Sequence, residues 1–147
     1  MPKAKKILYL SLIEVSTPSK TPTYKLWVNG DEIVPVPVAV QQVDQDRKRI
    51  DFEIPVDYLD TVQLELLNKG PTDTKVVDGK ITEDLMVIIE NLTVDCINLT
   101  NQISKISVYK DLHGQVHKTY GYLAFNGTMI IKMHKNILYT NWLSTVF

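Results

Sequence analysis

The stretch "KILYLSLIEV", Lys6 to Val15, sets the terms for the whole chain. Its residues alternate with a period of two. Ile7, Tyr9, Ser11 and Ile13 fall on one face of an extended strand, and Leu8, Leu10, Leu12 and Glu14 on the other. Both faces carry apolar residues, so the segment predicts a strand covered on both sides. The same period recurs in "RIDFEIPV", with Ile50, Phe52 and Ile54 inward and Asp51 and Glu53 outward. It recurs again in "DTVQLELLN", where Val62, Leu64 and Leu66 share a face.

Turn residues punctuate these runs. Asn29-Gly30 supplies the positive φ angles of a tight hairpin inside "YKLWVNGDEIV". Trp27, between Leu26 and Val28, is expected in the core. Pro35 and Pro37 cannot donate to a ladder, so Val34 to Val40 is expected to form an edge or bulged strand. "DLMVIIENLTVDCINLT" exceeds an ordinary strand and should split or bulge near Glu90-Asn91. "ISKISVYKD", "QVHKTYGYLAF" and "TMIIKMH" read as further strands, with "AFNGTM" as a hairpin. Helical signals are confined to a turn at Asp57 to Leu59 and a short C-terminal helix in "KNILYTNWL". The prediction is an all-β chain: one antiparallel β-sandwich, jelly-roll-like, over residues 1–147.

Composition removes several functions. A net charge of -1, from 16 basic and 17 acidic residues, gives no concentrated basic surface for nucleic acid. The basic cluster at Asp46 to Arg49 reads as the solvated start of a strand. No apolar run is long enough to span a membrane. The basic-then-apolar start is broken by Ser11 and Glu14, so it reads as a strand and not as a signal peptide. That reading places the protein in the cytoplasm, or in the virion if a phage encodes it. Cys96 is the single cysteine, which rules out an intrachain disulfide and a thiolate zinc site; a buried, inert thiol is expected.

Catalytic patterns are missing. No serine lies in a G-x-S-x-G elbow, and there is no P-loop or Gly-rich dinucleotide turn. His113 and His117 flank the turn residue Gly114 and read as solvated hairpin side chains. Asp51 with Glu53, and Asp57 with Asp60, read as ordinary exposed carboxylates. The chain is not expected to be an enzyme, nor to need a cofactor.

One loop offers more. "NKGPTDTKVVDGKITEDLMV" carries Asn68, Asp73, Asp78, Glu83 and Asp84, oxygen donors of the kind calcium prefers. Its EF-hand spacing is absent, and Lys69, Lys75 and Lys80 balance the charge. A solvated acidic connection is the favoured alternative.

"YKLWVNG", "IDFEI" and "LELLN…TEDLMVIIENLTVD" resemble the small jelly-roll carbohydrate-binding modules that use calcium to bind xylan-type sugars. The resemblance covers about half the chain and implies a sandwich with a calcium-assisted polysaccharide site. This chain departs from that pattern at Lys69, where the family has an acid, and at Thr82, which replaces a leading Asp. In general style the chain also resembles small phage virion proteins. Tyr120 and Tyr122, on either side of Gly121, are the candidate sugar platform. The end of the chain, "ILYTNWLSTVF", makes residues 136–147 a candidate docking segment, with Tyr139, Trp142, Leu143, Val146 and Phe147 at the interface.

Two readings follow. The first is a non-enzymatic structural protein of a phage particle (decoration, neck, tail or baseplate) assembling as a homo- or hetero-oligomer. The second is a carbohydrate-binding module, with calcium in the acidic loop.

Overall fold

A central strand organises the first sheet. The structure, a computed structural model, describes residues 6–94 and 97–132. Strand β1 (Lys6–Val15) pairs antiparallel with β5 (Arg47–Val56) on one side and β9 (Met86–Val94) on the other. Strand β4 (Ala39–Gln42) adds an edge beside β5. Beyond β9 lie β10 (Ile97–Asn98) and β13 (Tyr122–Leu123), each pairing with a different end of it. The position of β1 explains why both of its faces are poor in charge.

The second sheet runs in the order β12 (Val116–His117), β11 (Ser107–Asp111), β14 (Gly127–Lys132), β6 (Thr61–Leu66), β2 (Tyr24–Val28), β3 (Asp31–Ile33). A separate two-stranded hairpin joins β7 (Lys75–Val77) to β8 (Lys80–Glu83). The two large sheets enclose one core. Leu8, Leu10 and Leu12 of β1 meet Val62, Leu64 and Leu66 of β6 there, all 1% exposed or less. The result is an all-β antiparallel sandwich. After each strand or hairpin of the two large sheets the chain changes sheet: β1, then β2–β3, then β4–β5, then β6, then β9–β10, and so on to β14.

Several local expectations are realised. Asn29 and Gly30 turn the β2–β3 hairpin at φ 53° and 86°. The long run at Glu90-Asn91 is one bulged strand: Ser11 faces Asn91 while Leu12 faces Ile89, so Glu90 is the extra residue. Strand β4 is an edge strand. Only Ala39 and Val40 of the Val34–Val40 segment are strand, because the prolines before them occupy the crossover from one sheet to the other.

Other expectations are corrected. "ISKISVYKD" begins with the helical turn α1 (Ile103–Ile106), which follows a 3₁₀ turn at Thr100–Gln102, and becomes strand only at Ser107. "QVHKTYGYLAF" is not one strand. β12 and β13 belong to opposite sheets, with the chain crossing at a bend around Gly121 (φ 100°). "AFNGTM" is no hairpin either, since β13 and β14 also lie in opposite sheets. Gly127 is needed for close approach: a Cβ there would sit 2.3 Å from the Lys110 carbonyl oxygen. Trp27 alternates with the buried Leu26 and Val28, so it is half-exposed on the outer face of its sheet. The expected buried thiol at Cys96, the short C-terminal helix and the docking segment 136–147 lie outside the described residues.

Candidate functional site

The acidic loop is built from ion pairs. Lys69 Nζ lies 2.5 Å from Asp84 Oδ1, and both side chains are nearly buried. The same Asp84 oxygen accepts the Thr74 hydroxyl (2.7 Å) and the Leu85 N–H (2.8 Å). Burial pushes the Asp84 carboxyl up, but the hydrogen bonds from Lys69, Thr74 and Leu85 outweigh it and hold the group below its ordinary range. Asp73 binds Lys20 Nζ at 2.7 Å and the Gly70 N–H at 2.5 Å; those two donors lower its carboxyl as well. Glu83 faces Lys75 at 2.9 Å.

The five candidate oxygen donors are therefore dispersed. Asn68 spends its side chain on the backbone, accepting from Thr23 N–H and donating to the Thr21 carbonyl. Asp78 (φ 52°) sits with Gly79 at the exposed tip of the β7–β8 hairpin. Asp73, Glu83 and Asp84 each have their own lysine. Among the described residues no group of three or more His, Cys, Asp or Glu is arranged to hold a metal ion.

Tyr120 and Tyr122 are both more than half exposed, at 65% and 52%. They do not share a strand. Tyr120 lies in the bend, with Lys118 Nζ 5.8 Å from its ring centre, while Tyr122 pairs with Ile88. Thr119 holds the bend by donating to the Tyr122 carbonyl and accepting the Gly121 N–H. The positive φ of Gly121 breaks the period-two relationship that would align the two rings.

His117 Nε2 lies 2.9 Å from Asp111 Oδ2, and its ring meets Phe125 edge-on at 4.8 Å. The other Asp111 oxygen accepts the N–H groups of His113 and Gln115, so this cluster closes the β11–β12 turn. Tyr139, Trp142, Leu143, Val146 and Phe147 lie outside the described residues.

Comparison with protein-family models, with curated proteins and with solved structures returned no match.

Among the described residues, the most exposed apolar segment is the one whose prolines predict an edge strand. From Ile33 to Val43 the chain carries no charge, and Val34, Val36, Val38, Val40 and Val43 are 91%, 82%, 55%, 57% and 52% exposed. Its second half is extended and held to β5, with Val38 N–H donating to Asp51 O and Val43 N–H to Arg47 O. Among the described residues, β4 pairs only with β5, leaving its outer edge unpaired. Beside this strap runs a groove of about 250 Å³ lined mainly by apolar groups, among them Tyr24, Ile33, Pro35 and Phe52. The signal was present in "VPVPVAVQQV": an alternating valine run without a single lysine to guard it. Among the described residues no helix is long and apolar enough to cross a membrane.

Proposed function

We propose that the chain is a non-enzymatic structural subunit, of the kind found in small phage virion proteins, which assembles edge to edge with a second copy of itself. The observation that carries this reading is the uncharged Ile33–Val43 strap with its open β4 edge. An open edge presents a row of backbone N–H and C=O groups that another strand satisfies. A two-fold axis at β4 sets this segment against itself, and an uncharged segment meets its copy without repulsion. Val36 and Val40 then become covered. The non-enzymatic part is supported by the engagement of Asp73, Glu83, Asp84 and Asp111 with Lys20, Lys75, Lys69 and His117.

The test is mass by light scattering at tens of micromolar, for the full chain and two variants. The parent should be dimeric or larger, and Val36→Lys/Val40→Lys monomeric with an unchanged melting midpoint. A monomeric parent overturns the reading. So does a chain lacking residues 141–147 that dissociates while the lysine variant does not, since assembly would then run through the C-terminal segment.

A further inference from the structure

A second surface, which borders the strap at Val38, has the chemistry of a ligand site. On the outer face of the first sheet, the strand registers place side chains in rows. Thr93, Tyr9 and Glu53 form one row across β9, β1 and β5; Asn91, Ser11 and Asp51 form the next; Ile88, Ile13 and Arg49 form the third. Ser11 is the smallest of these and only 5% exposed, so it forms the floor of a depression of about 510 Å³. Tyr9 stands at one side, 36% exposed.

The walls are fixed by their own hydrogen bonds. Arg49 Nε donates to Asp51 Oδ1 at 3.0 Å, and Nη1 reaches over β1 to Glu90 Oε1 at 3.2 Å. Glu90 can make that reach because it is the bulged residue of β9. Opposite, Asn91 Oδ1 accepts the hydroxyls of Thr93 (2.9 Å) and Thr100 (3.4 Å). The Thr100 oxygen accepts the Leu92 N–H, so its own proton is directed at Asn91. This sets the Asn91 amide the right way round, and among the described residues its Nδ2 protons have no acceptor.

We infer that this depression binds a neutral, hydroxyl-rich chain, an oligosaccharide, with a sugar ring against Tyr9 and its hydroxyls between Asn91 and the Arg49–Asp51 pair. The half-exposed phenol gives an apolar platform for a sugar face. Fixed donors and acceptors lie side by side, as hydroxyls that both donate and accept require. Arg49 is already matched by Asp51 and Glu90, and Glu53 lies next to Tyr9, so the local charge is negative and disfavours phosphate, sulfate or uronate groups. Because the walls are set before any ligand arrives, little ordering is required on binding. The depression is open to solvent, which suits a chain lying across the strands.

The experiment is a ¹⁵N–¹H NMR titration of the full chain with cellohexaose, mannohexaose and a galacturonate hexamer. At least one neutral hexamer should shift amides of residues 9–11, 49–51 and 91–93. Tyr9→Ala and Asn91→Ala should each weaken that binding by about tenfold or more, while Tyr120→Ala and Tyr122→Ala leave it unchanged. Thermal melts of the variants verify that they fold. The inference fails if neither neutral hexamer moves those amides at millimolar concentration. It also fails if the shifts fall elsewhere, if Tyr9→Ala binds as the parent does, or if the galacturonate binds more tightly. Repeating the titration on Val36→Lys/Val40→Lys, in which the strap's assembly edge is disabled, separates these outcomes from the assembly reading.

Discussion

Tyr24 of one sheet donates its phenolic hydroxyl to Glu14 of the other, 2.8 Å away. Glu14 is 7% exposed, on the central strand β1. Burial, the Glu14 charge and the hydrogen bond together push the Tyr24 hydroxyl far above its ordinary range, so it remains a donor throughout the folded pH range. The contact ties the two sheets by a polar link beside the apolar core. Tyr24→Phe should cost about 1–3 kcal/mol, because it strands a buried acceptor. Replacing both partners, Tyr24→Phe with Glu14→Leu, should recover much of that loss. Urea unfolding measures both; a double variant no more stable than Tyr24→Phe would show that the stranded carboxylate is not the cause.

The Lys69–Asp84 pair anchors the acidic loop to the end of β6. Lys69→Met leaves a nearly buried carboxylate with Thr74 and Leu85 as its remaining donors, at a cost of about 3 kcal/mol. Replacing the exposed Lys80 at the hairpin should change the unfolding midpoint little. Equal losses at both positions would contradict the pairing.

Acid should unfold the protein through its aspartates. The carboxyls of Asp51, Asp73, Asp84 and Asp111 are all held below the ordinary value in the folded chain. A lowered folded pKa contributes stability that is present above the unfolded value, about 3.9, and is lost as pH falls through the folded one. Stability against urea should be level with respect to these groups near neutrality and decline below about pH 4. Asp84→Asn should be less stable than the parent at pH 7 and lose less on acidification.

Calcium should not raise the melting midpoint. An ion filling its site 100-fold over Kd would add about 2.7 kcal/mol, which melts in EDTA and in millimolar calcium would detect. With the loop carboxylates held by lysines, equal midpoints are expected; a rise lost in Asp84→Ala would mean that the ion displaces Lys69.

Gly127→Ala should be among the most damaging single changes. The added carbon would meet the Lys110 carbonyl, so β11 and β14 must separate. Gly30→Ala, where a Cβ meets nothing and only the φ of 86° resists, is the comparison. The ranking is checked by their melting midpoints.

Strands β1, β5 and β6 were legible because a two-residue period states which side faces the core, and the burial of Leu10, Phe52 and Leu64 follows it. An interruption near Glu90-Asn91 was legible from length alone; that it is a bulge and not a split follows from the register. The failures share a cause. Asn126-Gly127 has the composition of a hairpin turn, yet Asn126 uses its side chain to bridge the Lys69 backbone, accepting its N–H and donating to its carbonyl. Gly121 looks like part of a strand, yet it turns the chain between sheets. Composition reports that a backbone bends, not which sheet it bends towards. The lysine–carboxylate pairs were half legible: the charge balance was visible in the loop, but Lys20, which holds Asp73, comes from a distant turn. The outer-face depression was hidden, because it depends on registers among three strands that no local window contains.

The central placement of β1 bears on the order of assembly. Leu10 lies between Phe52 and Leu92, so β1 leaves the ribosome before either of its partners and cannot complete its pairing until residues far along the chain have been made. Such distant closures slow folding. Until then "KILYLSLI" is an apolar ribbon with two bare edges, the part of the nascent chain that a chaperone has most reason to hold.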